Sequence, residues 1–514
     1  MSATLLSLLI ALQTPQMPAR DDAREVAPVL LAEAHASVHP PASRALDALR
    51  ADLDTAKAAS DRNDVAVAIP LYDRALADPG FDALPPKERA DAFANAAWID
   101  YVDGRHERAL QRALAADALD RDNLDNVYHI MLIHLAAAHP AQAADTMRSI
   151  FERWPDRIAD LPPQRFYDVA DALDDQPERK LAYLQMLWDK GWDDPENNPW
   201  SMWLALVDLR LARGEIEQAK RALERVDGAR AMVRLRSDRR YDAIVDRDSP
   251  RFDAVASARR AVEALEAKAK VRPRDLAVRS QITYALLDAG QLDRVIDLAD
   301  ELLDEQHKPR LKATKFDDPD QRVWILNNRA LARYRLGQID QALADMRKAR
   351  DIGGDVGPTL NLGALECALG RADDALAAVA RVPESRMSDY GKAVHALQRL
   401  CAGILKHDAA LQSQAMTFLK AHREEIPDTY FEALVMQARL DEAAKLLIAR
   451  LDDPAQRGQV LIDAQDVLRA PEFEGNRRWR ENRRALYDRP DVRAAIERAG
   501  RVERYDVYIG HDYD

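Results

Sequence analysis

The stretch Trp324–Ile352, WILNNRALARYRLGQIDQALADMRKARDI, decides the architecture. It reads as two helices joined by a Gly-containing turn, with small residues at Ala330, Gly337, Ala342 and Ala349. The next stretch, LNLGALECALGRADDALAAVARV, repeats the pattern with Leu362, Gly363, Gly370, Ala375 and Val382. Gly337 to Gly370 is 33 residues, and so is Ala342 to Ala375. A fixed period near 34 marks a stack of helical hairpins, each burying its apolar face against its neighbours.

The spacing has a steric cause. Small residues at Ala330 and Ala342 let the two helices of one hairpin approach closely, and Ala349 lets the second helix meet the next hairpin. Gly337 supplies the turn, where a positive φ costs nothing without a Cβ.

Outward from that unit the pattern recurs. FANAAWIDYVDGRHERALQRALAADALDRD carries it with Trp98, Gly104, Ala109 and Ala116, and SMWLALVDLRLARGEIEQAKRALERV with Trp203, Leu206, Gly214, Ala219 and Val226. VRSQITYALLDAGQLDRVIDLADELL restores it with Ile282, Gly290 and Val295. The best copies are 90–122, 199–228, 276–305, 323–352 and 356–384; the intervening pairs follow only partly. We read residues 43–452 as one all-α array, a right-handed superhelix of about ten to twelve helical pairs. Residues 20–42 read as a tail or linker, and 453–514 as a degenerate helical cap and tail. Gly290 to Gly337 is 47 residues, so about 13 have been inserted, in the loop 307–321. Its basic half (Lys308, Arg310, Lys312, Lys315) reads either as a contact loop or as a solvated insertion.

Composition agrees. The 514 residues are 47% hydrophobic but only 6% aromatic, with 18 glycines, which favours helix over strand. A net charge of −13 disfavours nucleic acid as the main ligand. The two cysteines, Cys367 and Cys401, are 34 residues apart. Equivalent points on stacked repeats lie roughly 10 Å apart, whereas a disulfide needs Cα atoms within about 7 Å. Two unpaired buried thiols are therefore expected.

These copies resemble the tetratricopeptide repeat (TPR) family, over most of residues 45–450. Most copies depart from it by lacking Pro at the repeat end, and one by Val295 where Ala is usual. The resemblance implies binding of peptides or protein surfaces in a concave groove lined by the first helix of each pair. By position, Gln281, Asn328 and Asn361 occupy the same turn of three first helices, where amides could bond an extended peptide or instead tie adjacent repeats. Tyr284, Trp324, Tyr334 and Arg335 stand nearby, with the aromatic and Arg character of binding hot spots.

The expectation is a non-catalytic scaffold for a protein or peptide partner, with no cofactor or metal. No GxxxxGK[ST], HExxH, GxSxG or CxxC occurs, and His129, His134 and His139 at spacings of five would not share a helical face. The alternative is recognition of an extended polymer such as a glycan through Trp188, Trp192, Trp200 and Trp203, which could equally fill a joint between repeats. RRWRENRR (Arg477–Arg484) reads as an Arg-rich helix paired with carboxylates. No segment is long and apolar enough to span a membrane. LLSLLIAL (Leu5–Leu12) suits a signal h-region, so residues 1–19 read as a signal peptide and the protein as exported to a periplasm. MSAT lacks the basic n-region, which keeps a cytoplasmic protein as the alternative.

Overall fold

The computed structural model describes residues 41–194, 198–303, 316–353 and 356–509. The stretch read as a signal peptide (residues 1–19), residues 20–40 of the tail or linker, the Lys-rich half of the insertion and the last five residues lie outside them. The chain is an all-α array of TPR-like hairpins, divided into two compact units near residue 195.

The N-terminal unit holds four hairpins among its described residues. They are α1 (Pro41–Asp61) with α2 (Val65–Leu76), α3 (Pro86–Val102) with α4 (His106–Leu119), α5 (Leu124–Ala136) with α6 (Pro140–Arg153), and α7 (Gln164–Ala172) with α8 (Pro177–Asp189). Alanines fill the helix contacts: Ala68, Ala96, Ala97, Ala109 and Ala113 are essentially solvent-free. Asp100 is buried in the same region and is held by the Arg108 and Arg112 guanidiniums, which also reach Asp73 on α2. A buried carboxylate needs such partners, and here they tie two hairpins together.

The C-terminal unit begins with α9 (Trp200–Ala212), α10 (Ile216–Leu223), α11 (Ala229–Ser237) and α12 (Ala254–Val271). The regular repeats follow as α13 (Leu276–Asp288), α14 (Leu292–Leu303), α15 (Arg322–Arg335), α16 (Ile339–Gly353), α17 (Val356–Ala368) and α18 (Ala372–Val379). After them come α19 (Asp389–Leu405), α20 (Ala409–Ala421), α21 (Pro427–Met436) and α22 (Leu440–Asp452). The chain ends in α23 (Pro454–Asp463), α24 (Glu474–Tyr487) and α25 (Pro490–Ala499), with β1 (Asp466–Val467) pairing in parallel with β2 (Arg504–Tyr505). As the repeat requires, Ala330, Ala342 and Ala349 are fully buried.

Most hairpins turn through one left-handed residue; α7–α8 is an exception. Gly337 has φ +77°, its amide bonds the Tyr334 carbonyl at 2.9 Å, and the Gln338 amide bonds the Arg333 carbonyl at 2.8 Å. That pair of bonds is the Schellman closure of a helix end. Ala138 (+56°), His407 (+54°) and Ala438 (+56°) adopt the same geometry without being glycine. The Gly signal therefore understates the number of repeats.

One expectation fails here. Cys367 on α17 and Cys401 on α19 form a disulfide, with Cα atoms 6.4 Å apart. The 10 Å estimate describes the spacing of average helices, and this contact is closer. A Cβ on Gly363 would lie 2.6 Å from Val379 Cγ1 and 2.7 Å from Gln398 Oε1. Gln398 in turn donates to the Leu360 carbonyl at 2.6 Å. The missing side chain at Gly363 lets α19 settle against α17 and brings the sulfurs into reach.

Candidate functional site

The seven residues singled out in the sequence lie on α13, α15 and α17, the first helices of three consecutive hairpins. Trp324, Asn328, Tyr334, Arg335 and Asn361 are buried; Gln281 and Tyr284 are half-buried. The amides form a ladder across the repeats. Asn361 Nδ2 donates to Asn327 Oδ1 (2.8 Å), Asn327 Nδ2 to Asn328 Oδ1 (3.3 Å) and Asn328 Nδ2 to Thr283 Oγ1 (2.9 Å). Thr283 Oγ1 completes it on the Ser280 carbonyl at 2.7 Å. Buried amides left unmatched cost free energy, so a closed ladder fixes the register of the three hairpins. Asn327, which links Asn328 to Asn361, was not legible as a participant. Gln281 stands outside the ladder.

Tyr334 and Arg335 meet the chain's own C-terminal segment. The Tyr334 ring stacks on Phe473 at 5.1 Å, and the Arg335 guanidinium lies 4.2 Å from the Tyr508 ring centroid while donating to the Leu287 carbonyl at 2.9 Å. Behind them α24 presses onto α17 so closely that a Cβ on Gly475 would sit 1.9 Å from the Cys367 carbonyl oxygen. Its Trp479 Nε1 and Arg483 Nη1 both donate to the buried Glu432 of α21, at 3.0 and 2.9 Å. The Arg-rich motif is therefore a latch onto carboxylates, with Arg477 and Arg484 on Glu472.

The same segment reaches the start of the unit. Arg230 on α11 donates to Gln459 Oε1 (2.9 Å) and to the Ile509 carbonyl (2.7 Å), and Arg239 donates to the Glu497 carbonyl (3.0 Å). Residues 454–509 thus span from α21 back to α11 and close the C-terminal unit on itself. A sequence pattern could have hinted at it, because ERYDVYI (Glu503–Ile509) alternates in the manner of a strand.

The N-terminal unit presents a different first-helix face. Trp98 on α3 is 37% exposed and Val102 39%. The Trp98 ring lies 5.3 Å from Tyr101 and 5.0 Å from His129 on α5, and Tyr128 is 6.1 Å from His129. Arg165 on α7 pairs with Asp168 at 2.7 Å and hydrogen-bonds the Tyr128 hydroxyl. Burial holds the His129 imidazole below its ordinary pKa, so at neutral pH it is an uncharged ring beside the indole. Spacing does not mark this face in the sequence; the exposure of Trp98 and Val102 beside half-buried Tyr101, Tyr128 and His129 is what distinguishes it.

Two of the three spaced histidines come together across a turn. Helix α5 ends at Ala136 and the chain reverses at Ala138, so His139 returns to within 6.0 Å of the His134 ring. Among the described residues no group of three or more metal-ligating side chains comes together. Of the four clustered tryptophans, Trp192 is buried against Phe166 at 4.9 Å in the N-terminal unit, and Trp203 is buried beneath Arg225 at 5.0 Å in the C-terminal one. Trp188 and Trp200 are half-exposed.

No family model and no curated protein matches this chain. Among solved structures, Naa15/Naa10 bound to HypK-THB is similar at 14% identity, covering 88% of each chain with a TM-score of 0.28. Yeast Tom70 is similar at 13% identity, covering 80% of this chain and 99% of its own, with a TM-score of 0.22. Superpositions this loose transfer no partner or residue role, and the fold assignment rests on the hairpins themselves.

Proposed function

We propose that this protein is a non-catalytic scaffold that holds a protein or peptide partner on the first helices of its hairpins. The observation that carries the reading is the aromatic face of the N-terminal unit, where Trp98, Tyr101, Tyr128 and His129 converge with Trp98 and Val102 left more than a third exposed. Rigid aromatic side chains flanked by an Arg are the usual anchors of a protein interface. In the C-terminal unit the half-buried Gln281 and Tyr284 are the candidates for partner contact, whereas Trp324, Asn328, Tyr334, Arg335 and Asn361 support them from within. Export to an oxidising compartment is supported by the Cys367–Cys401 disulfide, which a reducing cytosol would not favour. No helix among the described residues is long and apolar enough to cross a membrane.

A photoreactive amino acid placed at Trp98, compared with one at the more exposed Leu114 of α4, tests the assignment in extract from the native cell. Cross-linking to a discrete protein from position 98 alone is expected. Equal labelling from both positions would refute it.

A further inference from the structure

The closing segment of the C-terminal unit is bound as a peptide is bound. From Glu503 to Ile509 its residues alternate: Tyr505, Val507 and Ile509 are buried while Arg504 and Asp506 face solvent. That is the two-residue period of an extended strand with one face inward.

Its backbone is read at several points. The Arg501 amide donates to the Ser237 carbonyl (2.8 Å), the Asp466 amide to the Glu503 carbonyl (3.1 Å) and the Leu468 amide to the Val507 carbonyl (3.1 Å). The Tyr508 amide donates to the Asp288 carbonyl at the end of α13 (2.9 Å), and Gln465 both accepts from the Glu503 amide (2.8 Å) and donates to the Arg501 carbonyl (2.9 Å). Its buried-side charge is Glu503, gripped by Arg236 at 3.2 Å and by Arg247, while Arg501 pairs with Asp242 and Arg504 with Asp466 toward the surface. Backbone pairing for affinity with pockets for alternate side chains is the logic of strand-addition recognition.

The helices of the seat do not depend on the segment for their own construction, whereas β1 pairs with β2 inside the segment. Arg230 and Arg236 project from α11 and Arg335 from α15, helices packed against their neighbouring helices, and the segment follows α25 after Gly500.

We propose that residues 501–509 are a displaceable internal ligand, and that the seat on α11, α13, α15 and β1 also takes an extended segment of a partner protein. That segment has a carboxylate followed by apolar side chains two, four and six residues later. The tethered copy competes at a high effective concentration, so the free site is open only when the tail is lifted. The proposal concerns a different surface from the aromatic face and stands or falls separately from it.

The probe is an end-blocked, fluorescently labelled peptide RVERYDVYI, titrated by anisotropy into the full chain and into V507D, whose own tail cannot seat a charge in the buried Val507 position. V507D is expected to bind the peptide at least tenfold more tightly than the wild-type chain does. A peptide carrying Asp at the Val507 position is expected to show no binding, and R236A added to V507D to weaken it severalfold. Equal affinity of the two chains, with helical circular dichroism unchanged, overturns the proposal. Dimerisation of the wild type that V507D abolishes also overturns it, because the occupant would then be a second copy. Should V507D not fold, hydrogen exchange on the wild type decides: the Leu468 and Tyr508 amides should exchange at least tenfold faster than the core of α15. Exchange at the same rate as α15 would make the segment a permanent part of the core.

Discussion

The two units build the same hairpin and finish it differently. In the N-terminal unit the first helices end in an exposed aromatic face around Trp98. In the C-terminal unit the equivalent helices α13 and α15 are covered by the returning chain, with Tyr334 against Phe473 and Arg335 against Tyr508. A helical hairpin leaves one face unsatisfied whatever its sequence. One unit leaves it to solvent and the other fills it from its own C-terminus. An aromatic residue on a first helix is thus an anchor in one setting and core in the other, and only its neighbours decide which.

Substitutions can break that contrast. The largest effect is expected from Tyr334→Ala, which empties a fully buried ring site and should cost about 3–5 kcal/mol in urea unfolding. Trp98→Ala, at a ring only partly buried, should move the same transition by about 1–2 kcal/mol while weakening capture of the partner. Similar losses from the two changes would show that both faces are core. Next, replacing both Cys367 and Cys401 with Ala should lower stability by about 3 kcal/mol, since the bridge closes a loop of 34 residues. Hydrogen exchange should show the loss in α17 and α19 and not in α3 to α6.

Asn328→Ala is expected to cost about 1–3 kcal/mol, because it strands the amide of Asn327 and the hydroxyl of Thr283 within the ladder. A melting curve that does not move would mean that water replaces the amide and that the site is more open than its burial suggests. The smallest effect concerns the feature both units share. Ala438→Gly and Ala138→Gly relieve a left-handed alanine and should each stabilise by roughly 1 kcal/mol, one in each unit. A loss at either position would show that the methyl group packs usefully there.

The repeat itself was legible because it rests on local sterics. Small residues at Ala330, Ala342 and Ala349 and a turn glycine at Gly337 work the same way wherever the hairpin sits. Turns at Ala138, His407 and Ala438 were harder to read, since tertiary packing there holds a conformation that the residue itself disfavours. The candidate site was legible in position and not in burial. Spacing put Asn328 and Asn361 on neighbouring first helices, yet it carries no information about Asn327 bridging them, or about what lies on top of Tyr334.

By itself the sequence determined the helical period, the hairpin as the repeating unit and the small residues that set its contacts, because each depends on residues within about 34 positions of one another. Two things were decided only in three dimensions. The Cys367–Cys401 bridge depends on how closely α19 approaches the bare Gly363. The occupancy of the C-terminal unit's face depends on residues 454–509 meeting partners as much as 279 positions earlier, as Arg230 meets Ile509. Period is a property of the local chain, whereas occupancy is set by which distant segment returns to it.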